Sequence, residues 1–224
     1  MIEPTAGLPF DNGRGLREVS NMQKIIREVR KLKANSFTLV ELLVVISIIG
    51  LLAGLAVPAI QGGLDKAKQQ VDVSNIRQSG LILFTDATDN NGSFSTNANS
   101  TLGIFQDLIT RQLLNSTKIL SGNGYPAATS TNNLTAENIA WAYVSGLTTS
   151  DSGQIPLLLS KGVSQLADNV SLGSITKGWK QKGLVVYRVG GSSEFLKSGT
   201  GGAAVGSVNL GLGETSVTNP IYQN

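Results

Sequence analysis

Nineteen consecutive uncharged residues, Leu42 to Ile60, constrain this chain more than any other feature. Ser47 is the single polar side chain among them. As a helix the run extends roughly 28 Å, close to the thickness of a bilayer core. It is too long for a secretory apolar region, which runs about 7–15 residues before a small-residue cut. A helix buried in a protein core would need neighbours on every side, and no other segment is suited to wrap it. The run predicts a membrane span. Its orientation follows from charge. Residues 1–36 carry seven basic and four acidic groups, which leaves eleven of each in residues 37–224. Lysine and arginine remain on the cytoplasmic side, so the N-terminus is expected inside and residues from Gln61 onward outside. The basic excess is a topology label and predicts no nucleic-acid partner.

Glu41 interrupts this simple anchor. An acidic group at the centre of a membrane helix costs about 2.5–3.5 kcal/mol, and less towards the ends. It calls for a partner, yet no cation follows Phe37 within reach. Lys31 and Lys33 lie upstream and can snorkel towards it. On residue type alone, an interfacial glutamate at a helix end and a glutamate paired with a partner both stand.

The stretch Ser36-Phe37-Thr38-Leu39-Val40-Glu41-Leu42-Leu43-Val44-Val45-Ile46 closely resembles the type IV prepilin and type II secretion pseudopilin signature. The resemblance implies a basic leader over residues 1–36, cut between Ser36 and Phe37 by a prepilin peptidase that also N-methylates Phe37. It implies that Glu41 pairs with the amino terminus of a neighbouring subunit. Gly50 and Pro58 stand where the family has helix-loosening residues; Pro58 removes a backbone hydrogen bond, and Gly50 and Gly54 lower local helix stability. The family most often has Gly before the cut, where this chain has Ser36, also a small residue. A start at Met22 would give a 15-residue leader, so residues 1–21 are expected to reflect an upstream start codon.

Apolar residues Leu64, Ala67, Val71, Ile76, Gly80, Leu83, Phe84 and Ala87 recur at helical spacing. Asp65, Lys66, Lys68, Gln69, Asp72, Arg77 and Asp86 are expected on the opposite face. Residues 61–88 therefore predict an amphipathic continuation of the first helix, softened at Gly62-Gly63 and stopped by the turn residues 89–93. A second helix is expected over 102–115, with Leu102, Phe105, Leu108, Ile109, Gln112 and Leu113 on one face. Strands are expected at Ala140–Val144, Ile155–Leu159, Leu184–Val189 and Val205–Leu210, with a turn at Gly190-Gly191. The fold class is α+β: a long N-terminal helix, membrane-spanning over 37–60 and amphipathic over 61–88, packed on a small antiparallel sheet within a globular head, 89–224. The same spine-plus-head design is pilin-like and is what the resemblance implies.

The chain has no cysteine and no histidine. Disulfides, thiolate nucleophiles, Ser-His-Asp catalysis and most transition-metal sites are thereby excluded. No catalytic or metal-ligating residue is assigned, no cofactor is expected, and the chain is read as no enzyme. Asp86, Asp89, Asn90 and Asn91 are oxygen-rich but lack calcium-loop spacing and read as a helix-ending turn; Asp151 lies in a second loop. The resemblance implies that calcium in the head is possible, with no assignable ligands. Ser198–Gly202 lacks the Lys-Ser/Thr ending of a phosphate loop and reads as a turn. Trp179, among Lys177, Lys180 and Lys182, reads as a strand-edge tryptophan with solvated lysines; a surface for anionic polymer or lipid headgroups is the alternative.

The resemblance implies a structural subunit of the major pseudopilin type. Its partners would be copies of itself and minor pseudopilins, the prepilin peptidase, the inner-membrane assembly platform and the membrane. Its place would be the bacterial inner membrane, single-pass, with leader cytoplasmic and head periplasmic, and then a periplasmic filament that drives export. Alternatives are a type IV pilin for adhesion, motility or DNA uptake, and a membrane-anchored polysaccharide-binding module.

Overall fold

The computed structural model describes residues 37–96, 98–212 and 219–222 of the 224-residue chain. The expectations placed on residues 1–36, including Ser36 and a start at Met22, lie outside the described residues. The chain divides into two compact units between Pro58 and Ala59.

Helix α1 runs Leu39–Asp89, with Pro58 inside it. It continues through Gly62-Gly63 without a break. It stops where expected. Asn90 bonds back to Asp86 through its main-chain N–H (3.2 Å) and side-chain amide (2.8 Å to the carbonyl). Asn91 and Gly92 then take left-handed backbone, φ 54° and 80°, and Gly92 N–H closes on the Ala87 carbonyl at 2.7 Å.

In the first unit, Phe37 and the α1 side chains up to Pro58 are exposed. In the second unit, the buried stripe of α1 is Asp72, Ile76, Ser79, Gly80, Leu83, Asp86 and Ala87. This corrects the sequence expectation. Leu64, Ala67 and Val71 were expected on the packed face and are exposed; Asp72 and Asp86 were expected outside and are buried. The reason is that each carboxylate has a specific partner, so its polarity does not decide its face. Asp72 accepts from Trp179 Nε1 (2.7 Å) and Asn123 N–H (3.0 Å). Asp86 accepts from Arg111 Nη1 at 2.5 Å and from Asn90 Nδ2 at 3.0 Å. The buried stripe then begins only at Asp72, and the apolar residues before it lie beyond its reach.

Helix α2 spans Thr101–Thr110, capped by Ser100 Oγ, which accepts from Gly103 N–H at 3.1 Å. It ends short of the expected residue 115. Arg111 N–H bonds to Asp107 O, and Gln112, expected on the apolar face, has φ 60°. Ile104, Phe105 and Leu108 are its buried apolar side chains.

Seven strands follow among the described residues: β1 Trp141–Val144, β2 Pro156–Ser160, β3 Asn169–Ser171, β4 Gly183–Arg188, β5 Ser193–Lys197, β6 Ser207–Asn209 and β7 Ile221–Tyr222. The main sheet has order β5-β4-β2-β1-β7, all neighbours antiparallel, and β3-β6 form a separate pair. Four strands lie where the sequence placed them, within one or two residues; β3, β5 and β7 carry no clear alternation of their own. Every residue of β4 is buried. On the α1 side, a Cβ built at Gly80 would sit 2.2 Å from the Tyr187 ring, so glycine is what allows helix and strand to approach there. At its end, Arg188 donates to the carbonyls of Gln154 and Leu210 (2.7 Å each) and to Glu194 (2.9 Å), which ties β4 to the chain leaving β6.

The core around this sheet includes Trp141, Tyr143, Tyr187, Phe94 and Phe105. Several of its buried polar groups are hydrogen-bonded within the fold. Trp141 Nε1 donates to Ile119 O (3.0 Å), Tyr143 OH to Ser95 O (2.7 Å) and Ser79 Oγ to Ile119 O (3.1 Å). Trp179 corrects another expectation. It lies in the turn ahead of a short 3-10 segment, Lys180–Lys182. It is buried, and it stacks edge-on against Phe195 with ring centres 5.3 Å apart. Its bond to Asp72 draws it inward, so it is neither a strand-edge nor a surface residue.

Candidate functional site

Of the residues singled out by sequence, Phe37 and Glu41 lie at the start of α1. Phe37 lies just ahead of the helix and is 74% exposed. Thr38 N-caps the helix. Its Oγ1 accepts from Glu41 N–H (3.2 Å), while Glu41 Oε2 accepts from Thr38 N–H (2.9 Å) and Thr38 Oγ1 (2.8 Å). This reciprocal pattern is a capping box, which satisfies donors that a helix start otherwise leaves open. Glu41 also places negative charge at the positive end of the helix dipole. Sequence reasoning missed this role for Thr38. The signal was present, because Thr-x-x-Glu ahead of an apolar run is the sequence mark of such a box.

One carboxylate oxygen of Glu41, Oε2, is therefore engaged within the chain. Among the described residues no cation lies within ion-pair distance of Glu41, and Oε1 accepts no hydrogen bond. The site thus offers an exposed carboxylate, held by Thr38, four residues from the exposed Phe37.

The helix behind it is apolar all round. Its side chains from Leu42 to Ile60 are exposed, and the helix is long and apolar enough to cross a membrane. Ser47 satisfies its hydroxyl by donating to Leu43 O at 2.7 Å, so its side chain leaves no open donor on the apolar run. Gly50 and Pro58 lie in this half-helix. Nothing stands within 4 Å of a Cβ placed at Gly50, so packing within this chain does not require glycine there.

The remaining polar clusters make contacts within the fold. Asp86 holds Arg111 and Asn90, with one carboxylate oxygen buried and unpartnered among the described residues. Asp151 closes a turn by accepting from Thr148 N–H (2.6 Å) and Oγ1 (3.0 Å). Residues 198–202 turn the chain between β5 and β6, with Gly199, Gly201 and Gly202 all at positive φ. Lys177 pairs with Glu137, and Lys182 with Asp65 at 2.6 Å.

Comparison with known proteins bears on this same end of the chain. Residues 31–57 match the model of the prokaryotic N-terminal methylation motif. Over 48 residues the chain is 48% identical to the type II secretion system core protein G of Aeromonas hydrophila, a match that covers 21% of this chain and 34% of that protein. The chain thus spans about a third of the length of that relative. No solved structure matches. The N-terminal segment is of the prepilin type, and the architecture, a long apolar N-terminal helix and a small antiparallel sheet, is α+β and pilin-like.

Proposed function

We propose that this chain is a structural subunit of a type II secretion pseudopilus, which works by assembly rather than catalysis. The precursor inserts with residues 1–36 on the cytoplasmic side and its sheet domain in the periplasm. A prepilin peptidase cuts between Ser36 and Phe37 and methylates the new amino group. Subunits, with minor pseudopilins, are then drawn by an inner-membrane platform into a periplasmic filament whose growth drives export. Moving Leu42–Ile60 from lipid into a filament core is nearly neutral in hydrophobicity, because both surroundings are apolar. Direction and register must come from polar pairing and packing. The observation that carries this reading is Glu41: a carboxylate held by Thr38 at the head of an exposed apolar helix, with one oxygen open and no cation beside it among the described residues. The amino group of a neighbour's Phe37 supplies that cation.

The relative's role in type II secretion and the absence of cysteine favour the pseudopilus over an adhesive or motile pilus, whose subunits often carry a disulfide. Mass measurement of the protein recovered from membranes tests the reading. Processing predicts a chain that starts at Phe37 and is one methyl group heavier than its sequence; an intact Ser36–Phe37 bond in the assembled protein overturns it. Ser36→Gly is expected to be processed at least as fast as the native chain in a pulse-chase gel.

A further inference from the structure

Among the described residues, the main sheet ends at β5 in an open edge. Between β4 and β5, Arg188 N–H donates to Ser192 O (2.9 Å) and Ser198 N–H to Lys182 O (3.0 Å). With Val185 opposite Phe195, antiparallel alternation turns the main chain of residues 192, 194, 196 and 198 towards β4. That of Ser193, Phe195 and Lys197 faces the other way. Among the described residues, β5 is the last strand on that side. Among the described residues, the N–H and C=O of Ser193 and Phe195 and the N–H of Lys197 have no partner, while Lys197 O accepts from Thr200 Oγ1 at 2.6 Å.

A groove of about 850 Å³ runs beside this edge, lined on one side by α1 from Gly62 to Val73 and on the other by β5, with Val205 at its rim. Phe195 packs on Trp179, and Ser193 and Lys197 share its face of the strand. Charge in the groove is unbalanced once internal pairs are counted. Asp65 is held by Lys182 and Glu194 by Arg188. Lys66 and Lys197 have no ion pair among the described residues. Val205 is 97% exposed.

We propose that the β5 edge receives an extended strand of a partner polypeptide, with acidic side chains meeting Lys66 and Lys197 and an apolar one covering Val205. Main-chain hydrogen bonds to Ser193, Phe195 and Lys197 supply affinity, and the groove supplies selection. The charges that line the edge discourage indiscriminate pairing, so a strand of complementary charge is the one admitted. The inference goes beyond the filament reading and stands apart from it, because the edge lies wholly within the second unit.

The test uses the full-length chain in lipid nanodiscs and two dye-labelled heptapeptides, one alternating valine with glutamate and the other valine with lysine, read by fluorescence anisotropy. The acidic peptide is expected to bind at least about ten-fold more tightly, with a preference that shrinks as salt rises. Ser193→Pro removes an N–H that no β4 carbonyl uses, an edge position that tolerates proline. It is expected to abolish binding with the melting curve unchanged, and Lys197→Glu to weaken binding about ten-fold with the fold intact. Equal binding of the two peptides, no binding of either, or full binding by Ser193→Pro in a folded protein overturns the proposal. Peptide-free self-association that Ser193→Pro abolishes also overturns it, by making the occupant a second copy.

Discussion

Two buried residues on α1 show how single side chains fix the folded unit. At Gly80 any side chain meets the Tyr187 ring. Gly80→Ala is expected to destabilise by about 1–3 kcal/mol through overpacking, seen as a lower midpoint in urea. Tyr187→Leu should cost stability alone, yet relieve part of the Gly80→Ala loss in the double variant, since the two positions share one contact. Asp72 is the second. Burial pushes its carboxyl above the ordinary value, and the bonds from Asn123 N–H and Trp179 pull partly back. The native state therefore holds this proton more tightly than the unfolded chain. The contribution is fully present below the unfolded value, about 3.9, and is lost as pH rises through the higher folded value. Asp72→Asn keeps an oxygen for both donors and is expected to flatten that decline, read as urea midpoints against pH. Asp72→Ala strands both donors and is expected to cost about 1–3 kcal/mol at any pH.

At the scale of elements, the start of α1 separates two roles of one residue. Glu41→Gln keeps an acceptor for the Thr38 cap and removes the charge. It is expected to leave amide protection in the first turn nearly unchanged while filament yield falls. Thr38→Ala is expected to speed amide exchange over Leu39–Glu41 by breaking the cap, a loss of about 1 kcal/mol in that turn. Normal filaments from Glu41→Gln would show that the cap is all Glu41 supplies. These expectations also mark what the sequence disclosed. The apolar run, the helix stop at Asp89-Asn90-Asn91-Gly92 and the VVY core of β4 are local patterns, and each was legible. The packed face of α1 was not, because Asp72 and Asp86 are held by partners 107 and 25 residues away. Nor was β5, Ser-Glu-Phe-Leu-Lys, whose edge position leaves its burial irregular and erases the period-two signal. The candidate site was legible in part: Phe37 and Glu41 stood out, while Thr38 was passed over.

For the whole molecule, the division between Pro58 and Ala59 separates two kinds of surface. The hydrophobic core begins at Ile76, so the second unit is expected to fold without the apolar half-helix. A chain beginning at Gln61 is expected to be soluble without detergent and to melt in one cooperative transition by circular dichroism. Aggregation or non-cooperative melting would mean that the first unit contributes to the fold.

The Thr38–Glu41 box has a consequence for the order in which energy is spent. A free glutamate side chain samples many rotamers, and freezing one costs up to about 2 kcal/mol. Here that loss is taken when the first helical turn forms, before any neighbour arrives. Under the proposed pairing, an incoming cation would meet an acceptor already held by Thr38, so less of the encounter's binding energy would be consumed in ordering it. Removing the threonine hydroxyl would leave the carboxylate's charge untouched and still slow or weaken the pairing, purely through disorder.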